Sequence, residues 1–210
     1  MIIRAASMPE MRVMQMDNAA QLSGEIVSPP VFSHESHGMR LYQCRIAVPR
    51  LSGVQDTVVL LVPEALVERM QGTVHVRGQL RGYTRQDADK RRLKLMVLVR
   101  ALDREALQEN NLIELTGELA REVYYRRTPL GREIADLMLK VSRPYTGTDY
   151  IPCVVWGRCA RFCSHLRKGA RLKVSGRMQS REYIKLTENG EEKRTAYELS
   201  IGKLTVLDKK

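Results

Sequence analysis

The strongest constraint on this chain is that its sequence occurs twice. QLSGEIVS (21–28) resembles ELTGELAR (114–121), and their glycines, Gly24 and Gly117, lie 93 positions apart. The same offset lays GMRLYQCRIAVPR (38–50) on GREIADLMLKVSR (131–143). After a few inserted residues, QGTVHVRGQL (71–80) resembles KGARLKVSGRM (168–178), and the halves end alike, in LKLMVLVRALD (93–103) and YELSIGKLTVLD (197–208). A repeat of this length is one folding unit copied, and 210 residues are enough for each copy to bury its own core. The expected organisation is a leader (1–17), a first domain (18–103), a polar joint (104–111) and a second domain (112–210).

Each copy reads as mostly strand. In the second, Ile113, Leu115 and Leu119 mark a first strand, with Gly117 at a bulge or sharp bend. Ala135, Leu137, Leu139 and Val141 alternate along a second strand, and Ile151, Cys153 and Val155 along a third. The period then changes. Cys159, Phe162, Cys163 and Leu166 fall at i, i+3, i+4 and i+7, the apolar face of a short helix. Leu172, Val174 and Met178 point inward from a fourth strand, and Tyr197, Leu199 and Ile201 from a fifth. The first copy keeps the order, with a shorter helix in PEALVERM (63–70) that Pro63 can begin. Five strands with a helix between the third and fourth is the order of an OB-fold, although other small barrels share the pattern. The expected class is all-β with one short helix per domain, built as two tandem OB-fold five-stranded barrels.

A net charge of +11 and a pI near 9.7 favour contact with polyanions. No apolar run approaches the roughly 18 residues that span a bilayer, so no membrane partner is expected. MIIRAASMPEMRVMQMDN lacks an apolar stretch of signal-peptide length, and four Cys without a paired framework suit a reducing cytoplasm. The chain has eight Tyr, two Phe and one Trp, yet RPYTGTDYIPCVVWGR (143–158) gathers Tyr145, Tyr150 and Trp156 between two arginines. With Ile151, Cys153 and Val155 inward, Tyr150, Val154 and Trp156 share the opposite face of their strand. On the fourth strand the same logic turns Arg171, Lys173 and Arg177 outward, and continues to Arg181 and Tyr183. Two neighbouring strands offering rings among cations suit a single-stranded nucleic acid: rings stack on bases, cations follow phosphates. The rings covering a subunit interface is the competing reading.

These residues also carry a resemblance. NNLIELTGELA, TPLGREIADLMLKVSRPY, TDYIPCVVWGRCARFCSHLRKGARLKVSGRMQSREY and TAYELSIGKLTVL resemble, in order, the blocks of bacterial single-stranded-DNA-binding proteins. The likeness covers nearly all of 111–208 and, more weakly, 18–103. It implies base-stacking rings at Tyr145, Tyr150, Trp156 and Tyr183. The accompanying cation set is Arg126, Arg127, Arg132, Arg143, Arg158, Arg171, Lys173, Arg177 and Arg181. It implies sequence-tolerant binding and protection of single-stranded DNA in replication, recombination or repair, with RNA left open because stacking does not read the sugar. Such proteins bring four OB domains together, so two per chain imply a homodimer. They also end in a flexible tail with an acidic tip that recruits partners. This chain ends LTVLDKK, so recruitment through such a tip is not expected. The first copy has Ser52, Thr57 and Pro63 where the second has Tyr145, Tyr150 and Trp156, and only Tyr83 resembles Tyr183. Residues 1–103 hold 14 Lys and Arg against 10 Asp and Glu, and 104–210 hold 21 against 14. The first copy therefore reads as an assembly or backbone-binding module in which Arg77, Arg81, Arg85, Arg91 and Arg92 follow phosphates or face solvent.

Other chemistry finds no support. Cys159, Cys163 and His165 have no second ligand pair at zinc-finger spacing, and the two cysteines suit a buried helix face. His34 and His37 fall in a polar turn, SHESHG. There is no phosphate-cradling glycine loop and no nucleophile–base motif, so neither enzyme activity nor a cofactor is expected. YYRR (124–127) reads as an exposed loop beside the groove or at an interface. The rival to a coating protein is an OB-fold adapter of replication restart or of a mobile element, with proteins as its main ligands.

Overall fold

The structure, a computed structural model, describes residues 17–87, 90–103, 105, 109–144, 147–187 and 190–207. The leader to residue 16, half of the joint (104 and 106–108) and Tyr145 lie outside the described residues. In the first copy, strands β1 (Asn18–Ser36), β2 (Met39–Pro49), β3 (Gln55–Pro63), β4 (Thr73–Asp87) and β5 (Lys90–Asp103) close on themselves. The ring runs β1–β2–β3–β5–β4 and back to β1, with β3 and β5 parallel and every other pair antiparallel. In the second copy the strands are β6 (Asn111–Leu119), β7 (Tyr124–Arg127), β8 (Glu133–Ser142), β9 (Thr148–Trp156), β10 (Arg171–Thr187) and β11 (Gly190–Leu207). They repeat the ring as β6–β8–β9–β11–β10. These are the two tandem OB-fold barrels expected from the repeat. Helix α1 (Gly157–Cys163) caps the second. Its counterpart is a single 3₁₀ segment (Glu64–Arg69), which Pro63 precedes in extended conformation.

The alternation read from sequence sets the cores. Ile46, Leu60, Val76 and Val97 fill the first barrel, and Leu115, Leu137, Ile151 and Leu199 the second, all essentially inaccessible to solvent. Gly117 marks the place where β6 bends to meet β8. A Cβ there would stand 2.7 Å from the Lys140 carbonyl oxygen, so only glycine lets the strands close the ring. The YYRR segment differs from the loop expected. It forms β7, pairing with β8 from Tyr124↔Asp136 to Arg127↔Glu133. In the first copy the same hairpin is the uninterrupted far end of β1, whereas in the second residues 120–123 leave the ladder between β6 and β7.

The barrels are joined edge to edge. β1 and β6 pair antiparallel, Asn18↔Leu115, Ala20↔Ile113 and Leu22↔Asn111. Exchanging the copies by their 93-residue offset turns the first pair into the third and returns the second to itself. A local two-fold axis therefore passes beside Ala20 and Ile113. Two buried carboxylates repeat this symmetry. Asp149 accepts from Arg143 Nη2 at 2.6 Å within its own barrel, and from Arg81 Nη1 at 2.9 Å and Gly82 N at 3.0 Å in the other. Its counterpart Asp56 accepts from Arg50 Nε at 2.6 Å and, across the joint, from Ser180 N at 2.9 Å. Ser180 and Gly82 are thus equivalent positions, which places Tyr83 at the position of Arg181, not of Tyr183. Gly82 is required there: a Cβ would sit 2.7 Å from the Tyr150 carbonyl oxygen.

Burial pushes the Asp149 carboxyl up, but Arg143, Arg81 and the Gly82 N–H outweigh it and hold the group below the usual aspartate value. The folded pKa is the lower one, so the contribution is complete above the unfolded value near 4 and fades as pH falls through the folded one. Asp149→Ala leaves two arginines facing an empty site and is expected to lower unfolding free energy by about 3 kcal/mol at neutral pH. Asp149→Asn should abolish the part of the acid sensitivity that this carboxyl supplies. Urea denaturation at pH 7 and in steps below pH 4 checks both.

Candidate nucleic-acid interface

Residues paired directly across a ladder share a face, so the registers of β7, β8 and β9 define the outer surface of the second barrel. Trp156 lies opposite Ile134, which lies opposite Arg126. One step along, Val154 faces Asp136 and Asp136 faces Tyr124. Pro152 then faces Met138, and Tyr150 faces Lys140. Six residues of strand separate Tyr150 from Trp156, about 20 Å at the rise of an extended chain. Both rings are open to solvent, at 46% and 44% of their full exposure. Val154 between them is buried, so the two rings stand as separate platforms. Arg126 is held by Asp136, Nε to Oδ2 at 3.1 Å. Lys140, exposed beside Tyr150, and Tyr124, the most exposed ring on this face, were not picked out from the sequence. The β8–β9 register brings Lys140 to this face, and the β7–β8 register brings Tyr124.

The cations of the fourth strand fall elsewhere. β10 and β9 are not neighbours; β11 lies between them, pairing antiparallel with β10 and parallel with β9 at Leu199↔Cys153. Arg171 and Lys173 point outward as expected, but on the stretch of β10 that pairs with β6. α1 carries the chain across the barrel end before β10 begins, which is why sequence neighbours are not sheet neighbours. Arg177 is exposed near the joint, beside Glu109, Pro49 and Leu51. Arg181 and Tyr183 lie farther along, where β10 and β11 leave the barrel as a two-stranded arm. Arg132 and Arg158 are exposed, and Arg127 lies 3.8 Å from Glu133. Arg143 is engaged by Asp149, its guanidinium carbon 5.9 Å from the centre of the Tyr83 ring.

The arm from the second barrel reaches the first. Tyr183 lines a cleft of about 560 Å³ together with Pro152, Arg194 and Tyr197 of its own barrel and Arg45, Val59, Leu93 and Lys94 of the other. The cleft meets the outer face of β9 at Pro152, between Tyr150 and Trp156.

Comparison with known proteins matches residues 110–207 to the single-strand binding protein family. The match coincides with the second barrel. Among curated relatives, the single-stranded DNA-binding protein of Halalkalibacterium halodurans is 38% identical over 80 residues, 35% of this chain and 48% of the relative. That of Oceanobacillus iheyensis is 32% identical over 94 residues, 41% and 55% of the two chains. The match thus spans about half the length of each relative. The crystal structure of wild-type single-stranded DNA binding protein from Thermus aquaticus superposes with a TM-score of 0.72 at 21% identity, covering 92% of this chain and 94% of that one. At that identity the likeness is one of fold, and it extends over both barrels.

Within the matched region, α1 turns differently from the expected helix. Ala160 and Cys163 face the core, while Cys159 and Phe162 are exposed. The buried stripe is one residue out of phase with the heptad-like reading, because a two-turn helix is oriented by the barrel end it covers. His165 is exposed, and among the described residues no three His, Cys, Asp or Glu side chains gather in a metal-holding group. Burial pushes the thiols of Cys44 and Cys163 up to about 11 and that of Cys153 higher still, leaving them protonated and unreactive. Titration of the native protein with a thiol reagent at pH 8 should therefore modify Cys159 rapidly and the other three only on unfolding.

Proposed function

We propose that the chain binds single-stranded DNA without reading its sequence, and that it is a binding protein and not an enzyme. The observation that carries this is the outer face of β9. Two solvent-open rings, Tyr150 and Trp156, stand on one surface beside Lys140 and Arg126. A surface of rings and cations holds a strand through stacking and charge, which every base and every phosphate offers. The curated relatives are themselves called single-stranded DNA-binding proteins, which supports the reading. In this reading Tyr183 adds a third ring, and Arg158, Arg171, Lys173, Arg177 and Arg181 add charge along the path. Tyr145 belongs to the set by its place in the sequence.

The cellular setting we assign is DNA replication, recombination or repair in the cytoplasm, with strands kept unpaired while they are exposed. Two such chains form the working particle, so that four barrels are presented together. Light scattering at micromolar concentration should give about twice the 24.0 kDa of one chain. A mass of one chain counts against the dimer.

Trp156 gives the test of the binding reading. Because the chain has one tryptophan, saturation with oligothymidylate should quench its fluorescence strongly and in proportion to occupancy. Trp156→Ala should weaken binding by about 1–3 kcal/mol, and Trp156→Phe by less. Tyr150→Ala, followed through Trp156, should weaken it over the same range. Parallel titrations with duplex DNA and RNA of equal length settle which nucleic acid is held. If Trp156 instead packs in a subunit interface, the Ala variant changes the particle mass and DNA leaves the fluorescence unaltered.

A further inference from the structure

The outer edge of β7 is open. Among the described residues β7 pairs with β8 alone, and none of the backbone hydrogen bonds outside the ladders involves residues 124–127. An unpaired edge is a template for another strand unless something blocks it. The equivalent edge of the first copy is blocked. The 93-residue offset lays Tyr124 and Tyr125 on Val31 and Phe32, and the pairs Tyr125↔Ala135 and Phe32↔Tyr42 agree with it. Just before that point the first copy has Pro29 and Pro30, which cannot donate, and β1 departs from regular register three times between Ile26 and His34. The second copy has Glu122 and Val123 there, and β7 follows β8 in unbroken register.

The four residues of β7 also match themselves. Two copies meeting antiparallel across a two-fold axis keep outer side chains beside outer ones only where an axis passes through a residue. Set on Tyr125, the axis puts Tyr125 opposite Tyr125 of the second copy, Tyr124 opposite Arg126, and Arg126 opposite Tyr124. Each Arg126 then meets a Tyr124 ring that is 63% exposed in the single chain, so a favourable cation–ring contact is made twice. Set on Arg126, the axis instead puts the two Arg126 side chains opposite each other, which like charge disfavours. The β1–β6 joint already uses an axis of this kind, at Ala20↔Ile113.

We propose that β7 is a contact between two copies of this chain, paired edge to edge about Tyr125. A ladder of four residues is far smaller than the roughly 1,200 Å² that a stable interface buries. It therefore does not hold the two-chain particle together but links one particle to the next, and it acts where particles are kept close, because a fixed local concentration then replaces free encounter. The pairing also carries the β9–β8–β7 face of one chain directly into that of its neighbour, so two sets of Tyr150 and Trp156 share one surface. That consequence rests on the single-strand reading above; the contact itself does not.

Disulfide trapping in the full chain tests the contact without nucleic acid. Cys159 is the exposed thiol among the described residues, so Cys159→Ser is the background. Chains carrying Tyr124→Cys and chains carrying Arg126→Cys, concentrated and oxidised together, are expected to link rapidly into covalent pairs. Either chain oxidised alone is expected to link far more slowly, since identical positions lie diagonally across the pair, about 8 Å apart and beyond disulfide reach. Sedimentation velocity gives a second reading. Wild-type particles are expected to gain mass as concentration rises, and Tyr124→Arg, which sets arginine against Arg126 twice, is expected to stop the gain. Adding Arg126→Glu to Tyr124→Arg is expected to restore it. A mixture that links no faster than the single chains, or Tyr124→Arg particles that gain mass like the wild type, overturns the contact. Neither result alters the quenching of Trp156 by oligothymidylate, so failure of the contact and failure of the single-strand reading are told apart.

Discussion

Everything in this molecule depends on the antiparallel pairing of β1 with β6. A barrel strand normally spends its hydrogen bonds on its own ring. Here β1 and β6 also meet each other through Ala20 and Ile113, so one sheet passes from barrel to barrel without an exposed edge at the joint. The pairing fixes a two-fold relation, and that relation brings Asp56 to Ser180 and Asp149 to Gly82. Each carboxylate also holds an arginine of its own barrel. Backbone ladder and buried ion pairs therefore enforce the same geometry, and the position of the arms and of the cleft follows from it.

Symmetry of backbone is combined with asymmetry of side chains. At equivalent strand positions the second barrel has Tyr150 and Trp156 and the first has Thr57 and Pro63. The first barrel instead puts Phe32 and Tyr42 on its β1–β2 hairpin, edge to face at 5.7 Å, with Arg40 over both rings and bound to Glu64 at 2.6 Å. These rings are engaged by their own cation and brace the hairpin against the 3₁₀ segment. In the first copy the exposed ring Phe32 is thus packed against Tyr42 and Arg40 of its own hairpin.

Much of the fold was legible because duplication and alternation are written directly in residue order. The inward sets Ala135, Leu137, Leu139, Val141 and Ile151, Cys153, Val155 are buried as a period of two requires. What the order of residues does not carry is which strands become neighbours. Arg171 and Lys173 were placed beside Trp156 because β10 follows β9 after one helix, yet β11 comes between them. Lys140 was missed for the converse reason: ten residues separate it from Tyr150 in the chain, and only the β8–β9 register makes them partners. The phase of α1 was misread because its seven residues are too few for periodicity to decide which side meets the barrel. Tyr83 was equated with Tyr183 because both arms are alike in composition, and the correct match came from the hydrogen bonds of Gly82 and Ser180.

The joint between the copies lies inside one covalent chain, and that changes what mutation is able to do. In a pair of identical subunits facing each other across a two-fold axis, every substitution appears on both sides at once. Here Gly82 and Ser180 occupy equivalent positions yet differ, as do Val59 and Pro152, so each half of the contact varies independently. Contact between the halves is also independent of dilution, since tethering replaces an encounter in solution by a fixed local concentration. A barrel freed from both requirements keeps its place beside its copy whatever residues its outer surface carries.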